Sequence, residues 1–322
     1  MKLQTQLTLK KQTEKQISYQ SKILLLGSCF SENIGSKLHY YKFDTTINPF
    51  GILFHPKAIE TFITKAISKT ETKESELVFS NEFWHSFNAH SSFRNSDKTE
   101  LSKNLNLILA DTFKELTTTS HVVITLGTAW VYRFLESKQL VANCHKIPQK
   151  NFTKELLSIE EVTTSLQKII SLLKSINKDI NVIFTVSPIR HLKDGFIENT
   201  LSKSHLISGI HKTINTVTKN VFYFPSYEIM MDELRDYRFY KEDMLHPNKV
   251  AINYIWEKFV ATWVTTSAEK TMLKVDTIQK GLIHKPFNPN SEQHQKFLKH
   301  LKAKILELEQ EMPTIDFHLN EK

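Results

Sequence analysis

Two short stretches carry the residue types of acyl-transfer chemistry. Gly27-Ser28-Cys29-Phe30-Ser31 follows the apolar run Ile23-Leu24-Leu25-Leu26, and Ile34 with Leu38 opens a helical period behind it. A nucleophile between a buried strand and a helix N-terminus sits among free backbone N–H groups. Those donors and the helix dipole stabilise a thiolate or an oxyanion. The competing reading is a serine N-cap beside a buried, inert cysteine. On the first reading the Cys29 thiol is expected to ionise below about 8.5 and to be alkylable at about pH 6–7, ahead of Cys144.

The second stretch is Asp243-Met244-Leu245-His246-Pro247. An aspartate three residues before a histidine can orient the imidazole and stabilise its cation, which equips His246 as a general base. Pro247 suits the first position of a following helix, with His246 at its cap. Helix capping alone is the alternative use of these residues.

The elements that must position these groups follow from hydrophobic period. Ile23–Leu26, His121–Leu126, Asn181–Val186 and Val221–Phe224 are short apolar runs, β-branched or aromatic, each ended by a Gly or Pro breaker. They read as buried parallel strands. Between them lie amphipathic helices. One opens on the capping box Ser158-Ile159-Glu160-Glu161 and continues through Val162, Leu166, Ile169, Ile170 and Leu173. Others are marked by Ile59, Phe62, Ile63 and Ile67, by Leu206, Ile207, Ile210 and Ile214, and by Ile252, Ile255, Trp256, Phe259, Val260 and Trp263. Alternating strands and helices predict an α/β fold, three layers with a mainly parallel sheet, whose reactive groups gather at the carboxyl edge. Residues 1–266 read as one domain. Residues 267–322 read as a polar C-terminal extension with one helical segment around Phe297, Leu298, Leu301, Ile305 and Leu308.

The order of the motifs resembles the SGNH/GDSL hydrolases: a Gly-x-nucleophile turn after the first strand, and Asp-x-x-His-Pro near the domain's end. More narrowly, Gly27-Ser28-Cys29-Phe30-Ser31-Glu32-Asn33-Ile34-Gly35 is similar to the signature of the GSCFA family, a branch of that superfamily. So are Asn48-Pro49-Phe50-Gly51, Gly127-Thr128-Ala129, Asn143-Cys144-His145-Lys146 and Ser187-Pro188-Ile189-Arg190. The resemblance spans roughly residues 1–265 and implies a flavodoxin-like SGNH fold. It puts the nucleophile at Cys29, where the GDSL enzymes carry serine, with Ser28 as the alternative. It also implies an oxyanion hole from the backbone N–H groups of Cys29 and Gly51. The third block lacks its usual asparagine, which leaves Asn143 as substitute, or else as a plain turn residue.

Arg190 is positioned to clamp a substrate carboxylate or phosphate, with a surface arginine as the alternative. Trp84 and His145 are assigned with it to substrate binding, although an aromatic loop such as Trp84-His85-Ser86-Phe87 more often only packs. Cys29, Cys144, His145 and His246 lack the spacing of a zinc site, so no metal and no cofactor is expected. The net charge of +8 is spread over scattered lysines, which argues for a solvated surface and against nucleic acid. No apolar run reaches the length of a signal peptide core or a membrane span, and two cysteines build no disulfide framework. A cytoplasmic setting is the expectation. The expected activity is hydrolysis or acyl transfer on a small-molecule or carbohydrate ester, or a thioester, through an acyl-enzyme on Cys29. The alternative is a non-catalytic ligand-binding protein on the same scaffold.

Overall fold

The computed structural model describes residues 5–217 and 219–317. The chain begins with β1 (Lys22–Gly27), α1 (Cys29–Tyr40), β2 (Asp44–Ile47) and α2 (Pro56–Ser68). Then come β3 (Leu77–Ser80), β4 (Phe83–Ser86), β5 (Arg94–Asn95), α3 (Lys98–Leu116) and β6 (His121–Leu126). Next are β7 (Trp130–Phe134), β8 (Leu140–Val141), β9 (Phe152–Leu156), α4 (Ile159–Ile176) and β10 (Asn181–Val186). The last elements are α5 (Phe196–Thr216), β11 (Val221–Tyr223), the single turn α6 (Ser226–Glu228), α7 (Lys249–Trp263), α8 (Thr266–Ile283) and α9 (Glu292–Glu311).

Five parallel strands form the central sheet in the order β11-β10-β6-β1-β2. Read from the other edge this is the flavodoxin-like order, whose direction reverses between β1 and β6. Ligands of such folds bind outside the strand carboxyl ends at that reversal. Cys29 begins α1 directly after β1, and so stands at that point.

Strand side chains alternate between two cores. Leu24, Leu26, Val122, Ile124, Val182 and Phe184 face a cluster built with α2, α3, α4 and α5. Ile23, Leu25, Val123 and Ile183 face the other, built with α1, α7, α8 and α9. The molecule is therefore a three-layer α/β/α structure. Ser158 caps α4 with Glu161 closing the capping box, as the sequence pattern predicts.

Several expectations are corrected. The strand β2 is half-buried and threonine-bearing, so it lacked the apolar run of its neighbours. Two small antiparallel sheets, β3-β4-β5 and β8-β7-β9, stand beside the main sheet. The segment after residue 266 holds two described helices rather than one, because Met272, Val275 and Ile278 give α8 its own buried stripe. Pro247 does not start α7: the cap is Asn248, whose side chain accepts from Val250 and Ala251 N–H. His246 therefore lies in a loop ahead of the cap.

Candidate active site

The turn after β1 is locked by its own backbone. Gly27 has φ +126°, and a Cβ there would lie 2.1 Å from the Thr125 carbonyl oxygen, so only glycine fits. Its N–H donates to Asn48 Oδ1 (2.9 Å), and Ser28 N–H donates to Thr125 O (3.0 Å). Ser28 is the N-cap of α1: its Oγ is fully buried and accepts from Phe30 N–H. That commitment removes Ser28 from substrate reach. Cys29, the first residue of the helix, is half-buried and free.

The low thiol pKa expected of Cys29 is not what this environment gives. Burial pushes the thiol up, and Glu32 in the first helical turn adds to it. The Cys29 amide and the Lys203 and Lys241 ammoniums pull it back only in part. The thiol therefore relies on a base. Iodoacetamide labelling of the resting protein is expected to be slow at about pH 6–7 and to gain rate only above about pH 8.5. Cys144, pushed up to about 11 by burial, should label later still. Mass mapping across a pH series reads both sites, and fast labelling of Cys29 at the acid end would reinstate a pre-ionised thiolate.

The Asp243–His246 pair forms as its spacing implies. Asp243 Oδ2 lies 2.6 Å from His246 Nδ1, while Asp243 Oδ1 accepts from the N–H groups of Leu245 and His246. Those two amides, His246 first, and then the imidazole hold the carboxyl at about 2. With Nδ1 turned to the carboxylate, the His246 ring presents Nε2 outward. The loop closes on itself through Lys241 N–H to His246 O (2.7 Å) and a Tyr240–Pro247 bridge.

No hydrogen bond joins Cys29 to His246 among the described residues. The two are linked through neighbours. Lys241, tied to His246, lies in electrostatic range of Cys29. His246 lies in range of His191, and His191 in range of Lys203.

Lys203 and His191 were not found by sequence reasoning. Lys203 on α5 is 1% exposed, and its Nζ donates to Gly127 O (2.7 Å) and Ser187 O (2.8 Å), the ends of β6 and β10. Burial lowers its pKa to about 7, with Cys29 pulling the other way. The available signal was position, since Lys203 falls on the buried stripe of α5 with Asn199, Leu206 and Ile210. His191 is half-buried against Phe54 and over Gly127, with Nε2 buried and unpartnered. Burial lowers its pKa to about 4, so it is neutral at physiological pH.

The expected oxyanion hole is corrected in two places. The Gly51 N–H is spent on Asn48 O (2.7 Å) in a turn, where φ is +71° and His90 packs against the missing Cβ. Asn143 Oδ1 accepts from His145 N–H, which closes a turn over the small sheet. A side-chain amide that holds the Cys29 turn is that of Asn48, whose Nδ2 is buried without a partner. The Cys29 N–H, at the first helical position, has no helical carbonyl to reach.

The other expected binding residues divide. Arg190 lines a cavity that also includes Asp243. Trp84 packs on Phe79 with the Lys98 ammonium over its ring, and so serves the small sheet. His145 stacks on His85 and bonds Ser86 O through Nε2, which is likewise a packing role. Among the described residues no group of three or more His, Cys, Asp or Glu is arranged to hold a metal ion, and no helix is long and apolar enough to cross a membrane.

A family model described as "GSCFA family" matches residues 22–259, and one described as "GSCFA domain protein, C-terminal domain" matches residues 275–320. No curated protein matches the chain. Among solved structures, the chain is similar to an acetyl xylan esterase from the rumen bacterium Butyrivibrio proteoclasticus. That match has 8% identity and a TM-score of 0.36, and it covers 74% of this chain and 62% of that one. Chemistry does not transfer across such a distance.

Proposed function

Because the chain belongs to the GSCFA family, and because His246 is oriented by the Asp243 carboxylate, we propose that it is a hydrolase or acyltransferase acting on an ester or thioester. The observation that carries this reading is the 2.6 Å contact between Asp243 Oδ2 and His246 Nδ1. It sets the tautomer that leaves Nε2 able to accept a proton. Nothing in a helix-capping role requires it, since Asn248 holds the cap.

His246 Nε2 takes the thiol proton of Cys29, and Sγ attacks the acyl carbon. The carbonyl oxygen becomes an oxyanion, met by the Cys29 N–H at the head of α1. Collapse breaks the bond to the leaving group, which departs with the proton from His246. Water or an alcohol, deprotonated by the same imidazole, then attacks the thioester, and the C–S bond breaks as Cys29 regains its proton. Lys203 is a positioning residue: it ties the ends of β6 and β10 together, and below about pH 7 it places positive charge near the sulfur. The two free cysteines suit a reducing compartment, and we place the protein in the cytoplasm.

The committed Gly51 amide favours a second reading, a ligand-binding protein without turnover, because it removes one oxyanion donor. One experiment separates the two. The protein is exposed to a panel of short-chain p-nitrophenyl esters and thioesters, followed by release kinetics and intact-mass spectrometry. An acyl adduct mapped to Cys29 together with multiple turnovers is expected. Binding without an adduct and without release would establish the second reading.

A further inference from the structure

A cavity of about 350 Å³ opens beside the acid–base pair, its wall including Arg190, Met230, Met231, Tyr240, Asp243 and Leu245. Arg190 is fixed from both sides of its backbone. Ile189 N–H donates to Ser187 Oγ (3.3 Å), and His191 N–H donates to Asn199 Oδ1 (2.9 Å). Among the described residues its guanidinium hydrogen-bonds only the thioether of Met231, with Nη2 to Sδ at 3.2 Å. A thioether is a weak acceptor and leaves the charge uncompensated.

The nearby carboxylates are already taken. Asp232 pairs with Arg235, Asp236 with Arg238, and Asp243 with His246. Tyr227 and Tyr240 both lie in electrostatic range of Arg190, and burial keeps each phenol protonated. Neither hydroxyl makes a hydrogen bond within the described residues. The cavity thus presents a guanidinium fork met only by a thioether, and a phenolic donor with no acceptor among the described residues. Such a set matches a planar or tetrahedral oxyanion.

We propose that this cavity binds a carboxylate or phosphate borne by the substrate, held by Arg190 with the Tyr240 hydroxyl beside it, so that the natural ester or thioester is an anionic one. This rests on the acyl-transfer reading of the same site, and it names the substrate class.

The test is titration calorimetry on the full chain with glutarate, inorganic phosphate and the neutral analogue glutaramide. It is run on the wild type, Arg190→Gln and Arg190→Lys, with thermal melts confirming that each variant is folded. Glutarate or phosphate should bind the wild type at least tenfold tighter than glutaramide. Arg190→Gln should lose about 10- to 100-fold of that affinity, the worth of a charge-assisted pair. Arg190→Lys should keep part of it as a point charge. The tighter of glutarate and phosphate tells which oxyanion the cavity is shaped for. Equal binding of glutaramide, or anion binding that survives in Arg190→Gln, overturns the proposal. In parallel, hydrolysis of p-nitrophenyl acetate is compared with that of p-nitrophenyl hemiglutarate. Turnover of both esters with Arg190-independent anion binding sinks this inference alone. Arg190-dependent binding with no turnover of any ester sinks the acyl-transfer reading and leaves the anion site standing.

Discussion

Replacing His246 by alanine is expected to lower kcat on any ester the protein turns over by on the order of 10³-fold or more, with the melting temperature unmoved. The thiol it must deprotonate is held above its ordinary value by burial and by Glu32, so little thiolate stands ready without a base. Asp243→Asn should act through the same ring. The asparagine oxygen can still accept from the N–H groups of Leu245 and His246, so the loop keeps its shape. Its NH2 then faces Nδ1, which drives the ring proton to Nε2 and blocks the base. A loss of about 10²- to 10⁴-fold in kcat with little change in KM is the expected result. Steady-state kinetics beside thermal melts decide it. An Asp243→Asn protein at full rate would make the pair a turn device only.

The second large effect falls on Lys203. Unfolded, a lysine keeps its proton to about pH 10.4, whereas burial brings Lys203 down to about 7 in the folded protein. Between those values the unfolded chain binds more protons, so stability climbs with pH. Below about pH 7 the full cost of the buried charge is present. Urea unfolding of the wild type should therefore gain on the order of 3 kcal/mol relative to Lys203→Met between about pH 7 and pH 10. Groups common to both proteins cancel in that difference. The methionine variant also strands the carbonyls of Gly127 and Ser187, a cost of about 1–3 kcal/mol each that is offset by relief of the buried charge. Parallel stability profiles would show that Lys203 is paired or solvated in solution.

The parts of this molecule that were legible in sequence share one property: each is marked by residue type at a fixed local spacing. Strands β1, β6 and β10 are buried on both faces, so they appear as unbroken apolar runs. Asp243 and His246 meet because three residues of a tight turn bring them together. The nucleophile turn is legible because its glycine is sterically compulsory. What escaped depends on tertiary placement. The half-buried β2 spreads its signal over threonines that suit a loop equally well. Lys203 reads as a surface residue until α5 is laid against the sheet, when its ammonium reaches two strand ends. Oxyanion donors are backbone amides with no side-chain signature, and whether Gly51 N–H is free depends on a turn that only coordinates show.

The strand order also sets a timetable for synthesis. The backbone partners of the Cys29 turn, Asn48 and Thr125, exist once β1, β2 and β6 are made, that is, when residue 126 has left the ribosome. The proposed base is not made until residues 243–246, an interval that translation at about 5–20 residues per second covers in roughly 6–25 s. Throughout that time the thiol stays largely protonated, as a free cysteine does at neutral pH. A thiolate generated by the turn itself would spend those seconds open to oxidation and stray acylation. Leaving activation to the last loop of the domain means that reactivity arrives together with the completed fold.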